Sequence, residues 1–248
     1  MQVSAQLYTV RTCGDLAAQL GVAAESGYRC VETTGLHDLS VSEMSAIVKR
    51  SGLRVTSAHF DWEEFETRFS DIVELLGLLE CQVAVMPWLT PEARPDTAAG
   101  WMAVSGQLSE WAARLGAHGL KLAYHNHDFD LIGCPDRTPL ELILAQGNIY
   151  WQPDIGWIIA AGLDPVEMIE RYASQILSIH AKDVDPTQTG DARWRDLGEG
   201  VVQWQEMLRA LRGTNCTDLF VEHDEPSDPR STLQIGHRYL TRQLSRPA

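Results

Sequence analysis

Basic charge is scarce in this chain. Lys and Arg number 20 against 34 Asp and Glu, a formal charge of −14 over 248 residues. No dense Lys/Arg cluster breaks the pattern. The nearest approach is Arg238, Arg242 and Arg246, spaced by four and expected on the solvent face of a last helix. Such a chain is repelled by phosphate backbones, which argues against nucleic acid as a partner. Long apolar runs are missing too. None reaches the ~18 residues of a membrane helix, and the stretch from Met1 to Thr12 has neither the basic segment nor the apolar stretch of a signal peptide. No membrane partner is expected. The five cysteines, Cys13, Cys30, Cys81, Cys134 and Cys216, are odd in number, far apart and free of CxxC pairs. They suggest neither a disulfide framework nor a cysteine zinc site, and read as reduced small hydrophobes of a cytoplasmic protein. No Gly/Ser linker or low-complexity stretch divides the chain, so residues 1–248 are expected to form one domain.

What is present is alternation. Short apolar runs recur at Val3–Tyr8, Arg29–Thr33, Arg54–His59, Gln82–Met86, Leu120–His125, Ile149–Asp154, Ile176–His180 and Leu219–Glu222. Helical patterns follow them at Asp15–Ser26, Ser42–Ser51, Glu66–Leu79, Thr97–Leu115, Pro139–Gln146, Pro165–Tyr172, Gln203–Leu211 and Arg230–Leu244. Gly27, Gly52, Gly116 and Gly119 stand where helices give way to strands, as left-handed C-caps require. Ser40 or Ser42, Asp96 and Asp164 supply N-caps, the last followed by Pro165. Strand–helix alternation implies parallel pairing with right-handed crossovers. Eight units in this length fit an α/β fold of one kind, a single (β/α)8 TIM barrel. An open doubly wound sheet would carry a Gly-rich turn after its first strand, and Tyr8-Thr9-Val10-Arg11 has none.

In such a barrel the C-terminal strand ends hold the chemistry. Those ends read Gln6, Glu32, His59, Met86 with Trp88, His125 with Asn126 and His127, Asp154, His180 with Lys182 and Asp183, and Glu222 with His223. A polar group closing an apolar strand is costly unless it faces a site. A lone Glu32 or His59 could simply tie down a loop. His125, Asp154, His180 and Glu222 differ, because they close four consecutive strands and would converge. Two imidazoles and two carboxylates suit one divalent ion such as Mn, Fe, Co or Zn. Trp88 and Trp157 could wall a sugar ring or simply pack.

Five strings carry a resemblance. Gln6-Leu7-Tyr8-Thr9-Val10-Arg11, Tyr124-His125-Asn126-His127-Asp128-Phe129, Asp154-Ile155-Gly156-Trp157, His180-Ala181-Lys182-Asp183 and Leu197-Gly198-Glu199-Gly200 resemble the xylose-isomerase-like barrel superfamily. The resemblance is to its sugar phosphate isomerase/epimerase group, related to inosose dehydratase. It implies a divalent metal (Mn, Zn, Co, Fe or Mg) held on the fifth to eighth strands. Asp154, His180 and Glu222 match three ligand positions. His125 stands where many members have Glu, with His127 as the alternative ligand. By this resemblance the expected function is a metal-dependent sugar isomerase or epimerase that removes a proton next to a carbonyl. The His125 departure from a two-glutamate site makes a metal-dependent lyase, a dehydratase or β-eliminase on a keto-sugar, cyclitol or keto-glycoside, the runner-up, and a non-catalytic sugar-binding barrel a further alternative. Glu222, His127 and Lys182 are the catalytic candidates, although Lys182 could instead pair structurally with Asp183 or Glu199. Gln6, Glu32, His59, Trp88, Asn126, Trp157 and Glu199 are the candidate substrate contacts. No Gly-rich phosphate turn follows the seventh or eighth strand. Association of copies is a further expectation, with some of the eight tryptophans at an interface.

Overall fold

In a computed structural model, which describes residues 1–133 and 137–246, the strands are β1 Gln2–Gln6, β2 Cys30–Thr34, β3 Arg54–His59, β4 Val83–Met86, β5 Lys121–His125, β6 Tyr150–Gln152, β7 Ser178–Ala181, β8 Asp183–Val184, β9 Trp194–Arg195 and β10 Asp218–Val221. Eight of them form one parallel sheet in the order β6-β5-β4-β3-β2-β1-β10-β7. Parallel bridges Trp151–Ile176 and Asp154–His180 bring β6 to β7 and close the ring. The chain is therefore a (β/α)8 TIM barrel, with β8 and β9 as a small antiparallel hairpin beyond β7.

The surrounding helices are α1 Leu16–Glu25, α2 Val41–Ser51, α3 Trp62–Thr67, α4 Phe69–Leu78, α5 Ala98–Gly116, α6 Pro139–Leu144, α7 Ile155–Ala160, α8 Pro165–Arg171, α9 Trp204–Leu211 and α10 Pro229–Leu244. α9 shows how sequence makes them. Trp204, Met207, Leu208 and Leu211 recur at helical spacing and are all buried. Each such side chain gains about 1.5–3 kcal/mol from burial. α2 begins in a capping box in which Ser40 and Glu43 satisfy each other's backbone N–H. It ends at Gly52, whose φ of +73° suits a residue without a Cβ.

Several expectations shift. The first strand stops at Gln6 because the Gln6 side chain accepts from Tyr8 N and starts a tight 3-10 helix over Leu7–Cys13. Thr97, not Asp96, caps α5. The helix expected over Glu66–Leu79 breaks at Arg68 into α3 and α4. Gly116 remains inside α5, while Gly119 has the positive φ. Cys30, Cys81 and Cys216 are buried and unpaired, and Cys13 is partly covered. Cys134 lies outside the described residues. Arg238 and Arg242 lie on the exposed face of α10, and Arg246, also exposed, follows it. No described helix is long and apolar enough to cross a membrane.

The barrel interior is unusually polar. Near the strand starts, Asp218 accepts from Gln2, Ser4 and Thr56. Further along, buried Glu32 accepts from Gln6 at 2.9 Å, Ser57 at 2.5 Å and Gln152 at 2.7 Å. Each of these carboxylates is saturated with donors, which offsets the cost of burial. The second cluster is the floor on which the site stands.

Candidate metal centre

Four side chains meet above that floor. His125 ends β5, Asp154 follows β6, His180 lies in β7 and Glu222 follows β10. One donor atom from each lies within 4.8 Å of the others, and all four residues are buried. Donors 2.0–2.2 Å from one ion stand no more than about 4.4 Å apart, so the quartet is already close to that size. Two observations test the fit. Asp154 Oδ2 and His125 Nδ1 are both buried without a hydrogen-bond partner, although Asp154 Oδ2 lies 2.8 Å from the Lys182 ammonium. The other Asp154 oxygen accepts from Trp157 N and caps α7. One oxygen thus fixes the carboxylate while the other faces positive charge, the Lys182 ammonium, in the interior of the quartet. Imidazole and carboxylate donors suit Mn, Fe, Co or Zn, so the residues fit a divalent ion. A second group, His59, His125 and His180, has the same closeness and shares two of these residues.

Supporting contacts orient the quartet. His180 Nδ1 lies 2.7 Å from Glu222 Oε2, and its Nε2 lies 2.7 Å from Glu32 Oε1. A ligand imidazole held from behind by a carboxylate has its tautomer and direction fixed. His59 stacks flat on His180 and touches both Glu32 and Gln152. Asn126 Oδ1 accepts from Trp151 Nε1 and from Asp154 N, tying the end of β6 to β5.

The electrostatics follow from burial and pairing. Burial lowers the Lys182 amine, but Asp154, Asp224 and Glu222 outweigh it and hold the ammonium charged well above its ordinary range. Its Nζ lies 2.8, 2.8 and 2.6 Å from Asp154, Glu222 and Asp224. Burial raises Glu222, yet Lys182 and His180 hold it well below the usual carboxylate range. Burial also disfavours charge on His180, and Glu222 and Glu32 overcome it, pushing the ring up to about 10. A divalent ligand role requires that proton to leave, so ion binding at His180 releases a proton. Burial, with Lys182 adding to it, pushes His127 down to about 3. His127 is therefore a neutral imidazole with a free Nδ1.

Two of the quartet, His125 and Glu222, line a cavity of about 720 Å³ at the C-terminal strand ends, a size suited to a small molecule, with Asp154 and His180 buried just beneath. His59, His125, His127, Trp88, Trp157, Lys182 and Glu222 all line it. A second cleft of about 700 Å³ lies at the opposite end, around Arg54 and Asp218. There the one buried carboxylate, Asp218, is saturated by its neighbours, so the upper cavity is the candidate site.

Other candidates fall elsewhere. Gln6, Glu32 and Asn126 are buried beneath the cavity and do not line it. Gln6 and Glu32 belong to the floor, and Asn126 braces Asp154. Glu199 is solvent-exposed and away from the cavity. The glycines around it explain the motif differently. Gly198 N and Val202 N donate to the Asp183 carboxylate, and a Cβ on Gly200 would sit 2.6 Å from Val184 N. The turn wraps Asp183, and Asp183 is thus no partner of Lys182. Sequence reasoning missed Asp224, Gln152, Ser57 and Arg94. Asp224 was within reach, two positions past the Glu222 strand end. Gln152 and Ser57 have no signal without the register that brings them to Glu32.

Comparison with known proteins agrees with this architecture. The chain is 26% identical over 163 residues to the rhizopine catabolism protein MocC of Rhizobium meliloti, covering 58% of this chain and 50% of that protein. It is 26% identical over 189 residues to inosose dehydratase of Geobacillus kaustophilus, covering 66% and 61%. The matches thus span only about half to three-fifths of those relatives. The IolI protein with a bound zinc atom superposes with a TM-score of 0.78 at 16% identity, covering 99% of this chain and 98% of that one. A family model described as the xylose isomerase-like TIM barrel matches residues 20–243. The chain belongs to the xylose isomerase-like TIM barrel family.

Proposed function

We propose that this protein is a divalent-metal-dependent enzyme of the cytoplasm that removes a proton next to the carbonyl of a keto-sugar or keto-cyclitol, with loss of water as the favoured outcome. The observation behind this is the buried quartet His125, Asp154, His180 and Glu222 at the floor of a small-molecule cavity. A divalent ion bound there supplies Lewis acidity to the substrate carbonyl. Neutral His127 takes the proton from the carbon beside that carbonyl. Lys182 is charged, buried and beside the quartet, placed to give a proton to a departing hydroxyl. The balance is simple. The C–H pair becomes a C=C bond, the β C–O bond breaks, and hydroxide leaves as water with the Lys182 proton. Glu222 is held ionised against Lys182 and His180. His127 and Trp157 line the cavity, and His127 Nδ1 and Trp157 Nε1 are buried without hydrogen-bond partners.

Elimination ranks above isomerisation for two reasons. The quartet has His125 where two-base epimerisation would use a second glutamate. The curated relatives reported above include an inosose dehydratase. The test is incubation of Mn²⁺-loaded protein with an inosose in D2O, followed by proton NMR and mass spectrometry. Loss of water with a new C=C bond supports elimination. Washout of the α-proton with the carbon skeleton returned intact assigns isomerisation instead. Protein that retains no divalent ion on titration overturns the whole scheme.

A further inference from the structure

The wall of the cavity holds one guanidinium, Arg94. Its surroundings are unusual for a mouth so rich in acid. Among the described residues no carboxylate lies within 4.0 Å of it. Most acidic groups of the same wall are already engaged, and the remaining one, Asp191, is solvent-exposed and makes no ion pair with Arg94. Asp224 binds Lys182, and Glu225 binds Arg11. Asp61 and Glu64 close the capping box that starts α3, and Asp128 accepts from Phe129 N.

Arg94 is nevertheless held in place. Its guanidinium carbon lies 3.5 Å from the centre of the Phe129 ring and 5.3 Å from that of Trp88. Its Nε donates to Leu89 O at 2.9 Å. That leaves the two Nη groups without a hydrogen-bond partner among the described residues. A planar fork pinned between aromatic faces, with its outer edge free, is the arrangement that binds an oxyanion in two-pronged fashion. Arg94 also lies near the Trp88 ring, against which a neutral sugar ring could otherwise stack.

We propose that Arg94 is the receptor for an oxyanion on the substrate, so that this site prefers an acidic polyhydroxylated ketone to a neutral one. The inference rests on the proposed function, since both use one cavity. Two measurements keep them apart. Titration of Mn²⁺ into the protein tests the metal centre alone. Isothermal titration of the Mn²⁺-loaded protein with gluconate and with sorbitol, which differ at one end by the carboxylate, tests Arg94. Glucose 6-phosphate against glucose serves as the phosphate arm.

A charge-assisted pair predicts an acid preference of about ten- to hundredfold in the wild type. Arg94→Met should remove that preference and leave Mn²⁺ affinity unchanged, while Arg94→Lys should retain part of it. A preference confined to glucose 6-phosphate assigns the oxyanion as a phosphate, and one confined to gluconate assigns a carboxylate. Equal affinity for acid and neutral probes, a preference that survives Arg94→Met, or capture of no probe by metal-loaded protein overturns the proposal. Failure to bind Mn²⁺ strikes instead at the metal centre.

Discussion

Asp130 offers a measurement whose size comes directly from the fold. It is fully buried, its Oδ1 accepts from Tyr124 OH at 2.7 Å, and its Oδ2 accepts from His127 N at 2.8 Å. It therefore holds the short turn that presents His127 to the cavity. Burial lifts its carboxyl from 3.8 to about 7, against the opposing pull of those two donors. The folded-state value lies above the unfolded one, so the folded protein keeps a proton that the unfolded chain releases. Stability is unaffected below the unfolded value, falls as pH rises through the window from about 4 to about 7, and is lowest above it. A gap of about three units at 1.36 kcal/mol each gives about 4 kcal/mol at most. Asp130→Asn removes the titration and preserves the shape. Its Oδ1 can accept from His127 N and its amide can donate to Tyr124. Urea unfolding of both proteins at about pH 5 and about pH 8 is the assay. The stability advantage of the variant should grow by about 2–3 kcal/mol toward the higher pH, since part of the window lies below about pH 5. Parallel pH dependence of the two proteins would refute the reasoning.

Two further substitutions test the parts of the site that hold others in place. Glu32→Gln weakens the support behind His180 while keeping all four quartet residues, and Mn²⁺ affinity should fall about 10- to 100-fold; unchanged affinity in a titration would show that Glu32 does not position the ring. Gly200→Ala drives a Cβ against Asp183 and Val184 and should cost about 1–3 kcal/mol in unfolding experiments. Glu199→Ala, one residue away and exposed, should stay within about 0.5 kcal/mol, and the opposite ranking would contradict the structural reading of the turn.

The barrel and the convergence of His125, Asp154, His180 and Glu222 were legible because each of the four sits at the end of an apolar run, and a polar residue there is visible in one dimension. Depth was not. Glu32 and Gln6 look like mouth residues by phase, but register pairs them below the site and Gln152 reaches them across the barrel. α7 escaped notice because its N-cap is Asp154, already assigned to the metal. The β8–β9 hairpin escaped because each strand is only two residues long. Glu199 was misjudged because the glycines around it mark the packing of a backbone turn on Asp183, not the presentation of a side chain.

The barrel closes unevenly. Seven junctions are paired within the sheet, β2–β3 with a register shift at Val31/Glu32, whereas β6 meets β7 through two isolated bridges, one of them Asp154–His180. The thinnest junction of the ring thus runs between two members of the quartet. An ion held by the proposed quartet would bridge this seam as a rivet, where β6 and β7 are joined by isolated bridges and not by a ladder, so loading the ion would also brace the closure of the barrel.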